Sequence, residues 1–476
     1  MLDEITAELR ARSGRFCDST GAPGYVAGVY HGGEETVVAH GLANVVTKAP
    51  MQEETGFLLG SVTKVLTTTL LLRQVERGSI DLDEPVMRYM PEFTLADPRA
   101  AAELRVRHLV THTDGISANF FMPAHDVKGR DALKAYVATL GACESLFAPG
   151  EYVSYSNAAF LVLGRLLEVV TGESYHDLLK REIYQEVGMS GSSVSAEEAI
   201  LRSTAVGHFP TRDGRTRRTN LFMLPENWSA CGGTPIVTIR DLLAFGRTHL
   251  NGGRSPAGRQ VLSPESIGRM QTVNADMKLP NSFAYGLGWA VVPFGETTVL
   301  WHGGGSPGGS SALAVIPEYD FAFAAFGNHS RSGALHDELL MWLLRDYLGV
   351  DIPALVTETQ PVERLERYVG TYRADQLRVE VGIVAGHLEQ KHIPEPRDEI
   401  HRAIMDEFSG GAALPPPQRL IPVRDDLFAP EGMPLESFTS IRGRYALVSF
   451  IGYEAGLPTL RGMGGRLIRR RPPSQA

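Results

Sequence analysis

The chain has 476 residues, 43% of them hydrophobic and 21% charged, with a formal net charge of −9 and a sequence pI near 5.9. It is long and apolar enough to bury a sizeable core, which excludes a disordered polymer, and its acidic balance argues against a nucleic-acid groove or a basic membrane patch. Its three cysteines, Cys17, Cys143 and Cys231, are far apart and show no CxxC spacing, so neither a disulfide framework nor a zinc site is expected.

Leu2 to Cys17 is an amphipathic stretch that predicts a helix and lacks the apolar core of a signal peptide, so a soluble, cytoplasmic protein is expected. GYVAGVYHGG and EETVVAHGLANVV then alternate as a β-hairpin around a Gly-Gly turn. From Thr63 to Arg77 the apolar residues recur at helical spacing and Gly78 can end the helix. Its longest apolar run, Val65 to Leu72, is broken by threonines and too short for a membrane span. Residues 80 to 270 read as mainly helical, with helices over Asn157–Thr171, Tyr175–Val187 and Ile239–Asn251.

Strand character returns after Tyr285, where YGLGWAVV, TTVLWHGG, SSALAVIPEY and DFAFAAFGN predict an antiparallel meander, closed by a helix over Gly333–Tyr347. DIPALVTETQP reads as a linker, placing a first domain at 1–350, a linker at 351–362 and a small β-rich domain at 363–476. SGGAALPPPQRL reads as a low-complexity loop, and Arg469, Arg470 and Arg471, ahead of two prolines, as a solvated tail.

Three elements carry chemistry. Gly60-Ser61-Val62-Thr63-Lys64 opens the predicted helix, and a three-residue spacing puts Ser61 and Lys64 on one face. A serine hydroxyl is a weak nucleophile that a desolvated lysine can activate, and helix-terminal N–H groups favour the developing anion. Only seven lysines occur (Lys48, Lys64, Lys128, Lys134, Lys180, Lys278 and Lys391), so one inside an apolar helix calls for a reason. Alone, this spacing is also that of an N-cap serine followed by a snorkelling lysine. Tyr155-Ser156-Asn157 follows the Pro149-Gly150 turn, where a phenol and an amide can point into a cleft. Trp301-His302-Gly303-Gly304-Gly305 ends a predicted strand, where glycines admit a substrate backbone and a free N–H can serve an oxyanion, or where they form only a flexible hairpin.

In this order, Ser-x-x-Lys, Tyr-x-Asn and His-x-Gly resemble the serine β-lactamase and penicillin-binding-protein family, on the branch of class C β-lactamases, D-aminopeptidases and esterases. LVTHTDGI, APGEYVSYSN, CGGTPIVTIRDLLAFG and YGLGW match that family's blocks in order, over about residues 10 to 350. The resemblance implies an α+β, β-lactamase/transpeptidase-like fold: an antiparallel sheet flanked by helices plus an all-helical region. It also implies that Ser61 is acylated, Lys64 is the base or its electrostatic partner, Tyr155 shuttles the proton, and Asn157 bonds substrate or Lys64. His302 takes the first place of the Lys-Thr-Gly element, and the N–H groups of Ser61 and Gly305 form the oxyanion hole. Histidine there is usual for the esterase and peptidase branch and anchors a carboxylate less firmly than lysine, so efficient β-lactam hydrolysis is not expected.

Phe120, Trp228, Gly232, Gly233 and Gly304 are further candidates for the substrate pocket, with Phe121 and Met122 beside Phe120. His112 is expected to be structural, Asp114 to bind a nearby cation where the family usually has serine, and Cys231 to be a small buried residue near the cleft. ERLERYVGTYRA resembles the start of the lipocalin-like barrel appended to some members, so the second domain is expected to be a small antiparallel β-barrel. Arg442 or Arg444 from it could meet a substrate carboxylate.

These readings converge on an acyl-Ser61 enzyme acting on an ester or amide of a small molecule or peptide, without cofactor or metal, and passing the acyl group to water or an amine. A biosynthetic acyltransferase, like the penicillin-binding-protein-type thioesterases that cyclise peptides, uses the same intermediate. The competing class is a non-catalytic ligand-binding sensor of the same fold. Oligomeric state is not legible.

Overall fold

The computed structural model describes residues 2–118, 125–211, 213, 215–411 and 416–472. Phe120, Phe121 and Met122 lie outside the described residues. An eight-stranded antiparallel sheet organises the first part of the chain. Its strands are β1 (Gly24–His31), β2 (Glu34–Asn44), β3 (Ala49–Pro50), β4 (Ala284–Tyr285), β5 (Ala290–Phe294), β6 (Thr297–Ser306), β7 (Gly309–Ile316) and β8 (Phe321–Gly327), in the order β3-β2-β1-β8-β7-β6-β5-β4. The predicted hairpin and meander both form, and they join where β1 pairs with β8, from Tyr25 opposite Gly327 to His31 opposite Phe321. That contact spans about three hundred residues of sequence, and alternation within either strand carries no record of it.

β8 is buried along its whole length because both sheet faces are covered. On one face pack α1 (Leu2–Thr20) and α5 (Gly333–Trp342), whose last turns continue through Leu343–Tyr347. On the other lie α2 (Thr63–Glu76), α3 (Ala158–Thr171) and α4 (Ile239–Leu250), with the short helices of the predicted helical region. α2 is buried on nearly every side, which explains its weak amphipathic pattern.

Residues 351–364 run without helix or strand. A closed antiparallel barrel follows: β9 (Gly370–Ala374), β10 (Leu377–Val384), β11 (His387–Pro394), β12 (Gln418–Arg424), β13 (Leu427–Pro430), β14 (Val448–Glu454), β15 (Leu457–Met463) and β16 (Arg466–Arg471). Helices α6 (Glu399–Ser409) and α7 (Ile441–Ala446) interrupt it. The barrel has its own core, centred on Tyr368, Tyr372, Phe428 and Phe450. The stretch expected as a low-complexity loop is framed by α6 and by β12, which begins at Gln418 within it.

The triple arginine is no solvated tail: it closes the barrel, with Arg469, Arg470 and Arg471 opposite Arg373, Tyr372 and Thr371. Arg470 donates to the Arg367 carbonyl at 2.8 Å, and Arg471 pairs with Glu144 of the helical region. The cation run becomes a strand here because Arg470 finds backbone carbonyls and Arg471 a carboxylate, while Arg469 stays exposed.

The barrel is docked closely. Asn281 donates to Leu447 O and Ser449 Oγ at 3.1 Å each and to Gly462 O at 3.3 Å. Leu146 and Phe147 form an apolar cluster with Leu460 and Leu467. Arg444, expected as a substrate contact, is buried instead: it donates to Pro293 O at 2.8 Å and lies 4.8 Å over the Phe294 ring.

Candidate active site

Ser61 lies in a tight turn, Gly60–Val62, that runs straight into α2. Phe57 and Leu58 pair with Val237 and Ile236, Leu59 N–H donates to Pro235 O at 2.8 Å, and Ser311 Oγ donates to Leu59 O at 2.6 Å. Gly60 adopts φ +63°, and a Cβ there would stand 2.5 Å from Gly305 O and 2.9 Å from Gly305 N. Only glycine lets the turn approach the Gly303–Gly305 edge this closely. Gly232, at φ +122°, backs the same turn, since a Cβ on it would fall 2.1 Å from Gly60 O.

One helical turn on, Lys64 is fully buried, its Nζ 3.2 Å from Ser61 Oγ and 3.1 Å from the Cys231 carbonyl. Burial lowers its pKa to about 7, the Cys231 side of the pocket opposes the shift, and the Arg466 charge adds to it. An ammonium with no water around it gives up its proton more readily, so near neutral pH a large share of Lys64 is the free amine.

Tyr155 closes the site from the opposite side, its phenol hydrogen-bonded to the Ser61 side chain and its ring 4.9 Å from the Lys64 ammonium. Burial pushes this phenol well above its usual pKa, so it stays protonated. His112 packs behind it, with ring centroids 4.5 Å apart, and accepts from Ser156 N–H at 3.0 Å through Nδ1. Asp114 binds no cation as its main partner; it accepts from Ser156 Oγ at 3.1 Å and Ile116 N–H at 2.9 Å. Asn157 is buried at the start of α3. His302 donates from Nδ1 to the Gly303 carbonyl at 2.9 Å, and burial followed by the Lys64 charge lowers its pKa to about 3. It is therefore a neutral imidazole whose Nε2 presents a lone pair.

A cavity of about 410 Å³ opens on Ser61, Tyr155, His302 and Gly304. Trp228, Gly232 and Gly233 are not among its described lining residues: Trp228 is core, and Gly233 packs against its Cβ. The barrel supplies the wall that sequence reasoning missed. Tyr445 and Arg466 line the cavity, and the Arg466 guanidinium carbon lies 4.9 Å over the Tyr155 ring. Tyr155 N–H donates to Gly465 O at 2.8 Å, and Leu467 N–H donates to Ser154 Oγ at 3.0 Å. The tyrosine loop is thus stitched to the turn between β15 and β16. No local pattern marks Arg466, which stands three residues before the arginine run that reads as a tail.

A hydroxyl, a depressed-pKa amine, a protonated phenol and a glycine strand edge gathered around one cavity can together support nucleophilic attack on a carbonyl carbon. Among the described residues, no cluster of three or more His, Cys, Asp or Glu is placed to hold a metal, and no helix is long and apolar enough to cross a membrane. The Beta-lactamase family model matches residues 2–345. The chain belongs to the β-lactamase family. It is 28% identical over 360 residues to Penicillin-binding protein 4 of Amycolatopsis lactamdurans, covering 74% of this chain and 93% of that one. Its fold is similar to that of SurE, with a TM-score of 0.77 and 24% identity over 99% of this chain and all of SurE, barrel included. It is also similar in fold to a D-amino acid amidase from Ochrobactrum anthropi SV3, with a TM-score of 0.58 and 24% identity over 68% of this chain and 91% of the amidase. This family member is thus a serine hydrolase of the β-lactamase and penicillin-binding-protein kind, with a closed eight-stranded barrel at its C-terminus.

Proposed function

We propose that the protein transfers an acyl group from an ester or amide through an acyl-Ser61 intermediate. The observation that carries this reading is the buried Lys64 amine, 3.2 Å from Ser61 Oγ with its pKa brought to about 7. In this reading Lys64 takes the Ser61 proton as Oγ bonds to the substrate carbonyl carbon, and the N–H groups of Ser61 and Gly305 receive the oxyanion. Tyr155, protonated at neutral pH, relays a proton to the leaving group as the scissile bond breaks. An incoming water or amine then reverses these steps and releases Ser61.

Substrate orientation falls to Arg466. His302 is neutral, so it cannot replace the lysine charge that β-lactamases place there, whereas Arg466 brings a guanidinium to the same cavity from the barrel. A carboxylated acyl group with a D-residue at the reacting carbonyl is the reading that SurE, solved with D-Leu, favours, whereas the Ochrobactrum amidase has been solved with both D- and L-phenylalanine. Water or an amine can each accept the acyl group, giving hydrolysis in one case and aminolysis or cyclisation in the other.

Turnover of a peptidyl thioester series ending in D-Leu or L-Leu, read by mass spectrometry, tests this. The expected result is release of hydrolysed or cyclised peptide from the D-series, lost in Ser61→Ala. Equal release from Ser61→Ala would overturn it.

A further inference from the structure

The cavity does not end at Ser61. β5 pairs with β6 only from Thr297 to Trp301, so the outer edge of β6 beyond Trp301 is open and carries the bare glycines Gly303 to Gly305. Around that edge the same cavity reaches Ser310, Gly333, His336 and Arg442. Ser311 points to the nucleophile side, where it bonds Leu59 O, so alternation turns Ser310 to the opposite face, toward α5.

There the hydrogen-bond directions are fixed. His336 Nε2 lies 3.0 Å from the Ser310 carbonyl, which can only accept, so Nε2 carries the proton. Nδ1 then holds a lone pair and accepts from the buried Tyr25 hydroxyl at 2.6 Å. Burial keeps His336 neutral, lowering its pKa to about 4, and keeps Tyr25 a phenol. Ser310 Oγ, 2.9 Å from the same Nε2, can only share that N–H as a second acceptor, which leaves its own proton free for the cavity. Facing it, Arg442 Nη1 would stand 2.9 Å from a Cβ on Gly333, and the exposed guanidinium overhangs the bend. Asp337, whose charge attracts Arg442, is already engaged by Ser440 and the Arg442 backbone N–H.

We infer that this bend is a second acceptor-binding subsite, in which Ser310 and Arg442 together take a carboxylate of the substrate, apart from the one assigned to Arg466. Ser310 Oγ has its proton to offer and Arg442 brings only donors, while Asp337, the one acid among the described residues lining this part of the cavity, is held by Ser440 and the Arg442 backbone, so an anion with acceptors alone, such as a carboxylate, fits the bend. Gly333 and the glycines of β6 contribute no side chain of their own to the cavity. The inference rests on the acyl-Ser61 reading in placing the substrate within this cavity, and it narrows the substrate to compounds with two anionic ends.

Calorimetric titration of the full chain with α,ω-dicarboxylates from succinate to sebacate, each beside its half methyl ester, tests it without any turnover. One chain length is expected to bind about tenfold tighter than its half ester. Ser310→Ala and Arg442→Gln should each reduce that diacid to the half-ester level, while Tyr25→Phe, which leaves His336 Nδ1 without its donor and loosens the imidazole, should erode the preference severalfold. Half esters binding as tightly as diacids throughout, absence of binding across the series, or an undiminished preference in both Ser310→Ala and Arg442→Gln would overturn it. Failure of the acyl-enzyme reading is separate, visible as a missing covalent adduct on Ser61.

Discussion

The two walls of the cavity are built on different plans. The Ser61 and Lys64 wall belongs to one helix and its leading turn, so residues three apart in sequence are partners in space. The Tyr155 wall is assembled from a loop, a strand edge and the barrel: Tyr155 takes its backbone bond from Gly465 and lies against Arg466, more than three hundred residues on. One wall sets the chemistry by local spacing, and the other sets proton relay and substrate charge by docking. Because Arg466 also helps lower the Lys64 pKa, the barrel reaches the first wall through its field.

If that division holds, variants on the first wall should remove chemistry outright. Lys64→Ala should lower the acylation rate by about 10²- to 10⁴-fold, read by stopped-flow burst kinetics with an activated ester. Gly60→Ala forces a Cβ into the Gly305 backbone at an unfavourable φ and should cost on the order of 100-fold in kcat by misplacing Ser61.

Variants on the second wall should be graded. Arg466→Gln should raise KM for a carboxylated substrate by about 10- to 100-fold and leave its neutral ester much less affected. The same variant sharpens the electrostatic link. In the wild type the acylation rate should rise with pH through about 7, because only the unprotonated amine accepts the Ser61 proton. Removing the Arg466 charge favours the protonated amine, so the midpoint should move to higher pH. An unmoved midpoint would confine the barrel to binding. The smallest effect is expected at the dock itself, where Asn281→Ala strips three hydrogen bonds and should cost about 1–3 kcal/mol in urea unfolding.

The same contrast explains what the sequence made legible. Ser61, Lys64, Tyr155 and His302 could be read because each stands in a short motif whose residue types and spacing carry the chemistry. The helix from Thr63, the hairpin and the meander could be read because their apolar periods are local. The β1–β8 pairing could not, since strands alternate alike whatever their neighbour. Arg466 could not either: it stands in no motif, and only the docking of the turn between β15 and β16 against the Tyr155 loop brings it to the cavity. Trp228 misled for the opposite reason, an aromatic near a motif that the fold places in the core.

In the proposed reaction everything turns on covalent acylation of Ser61. Intact-mass spectrometry after incubation with a fluorophosphonate probe tests it most directly. A single adduct is expected on the wild type, mapped to Ser61, slowed in Lys64→Ala and absent from Ser61→Ala. An unmodified wild type, or an equal adduct on Ser61→Ala, would contradict it.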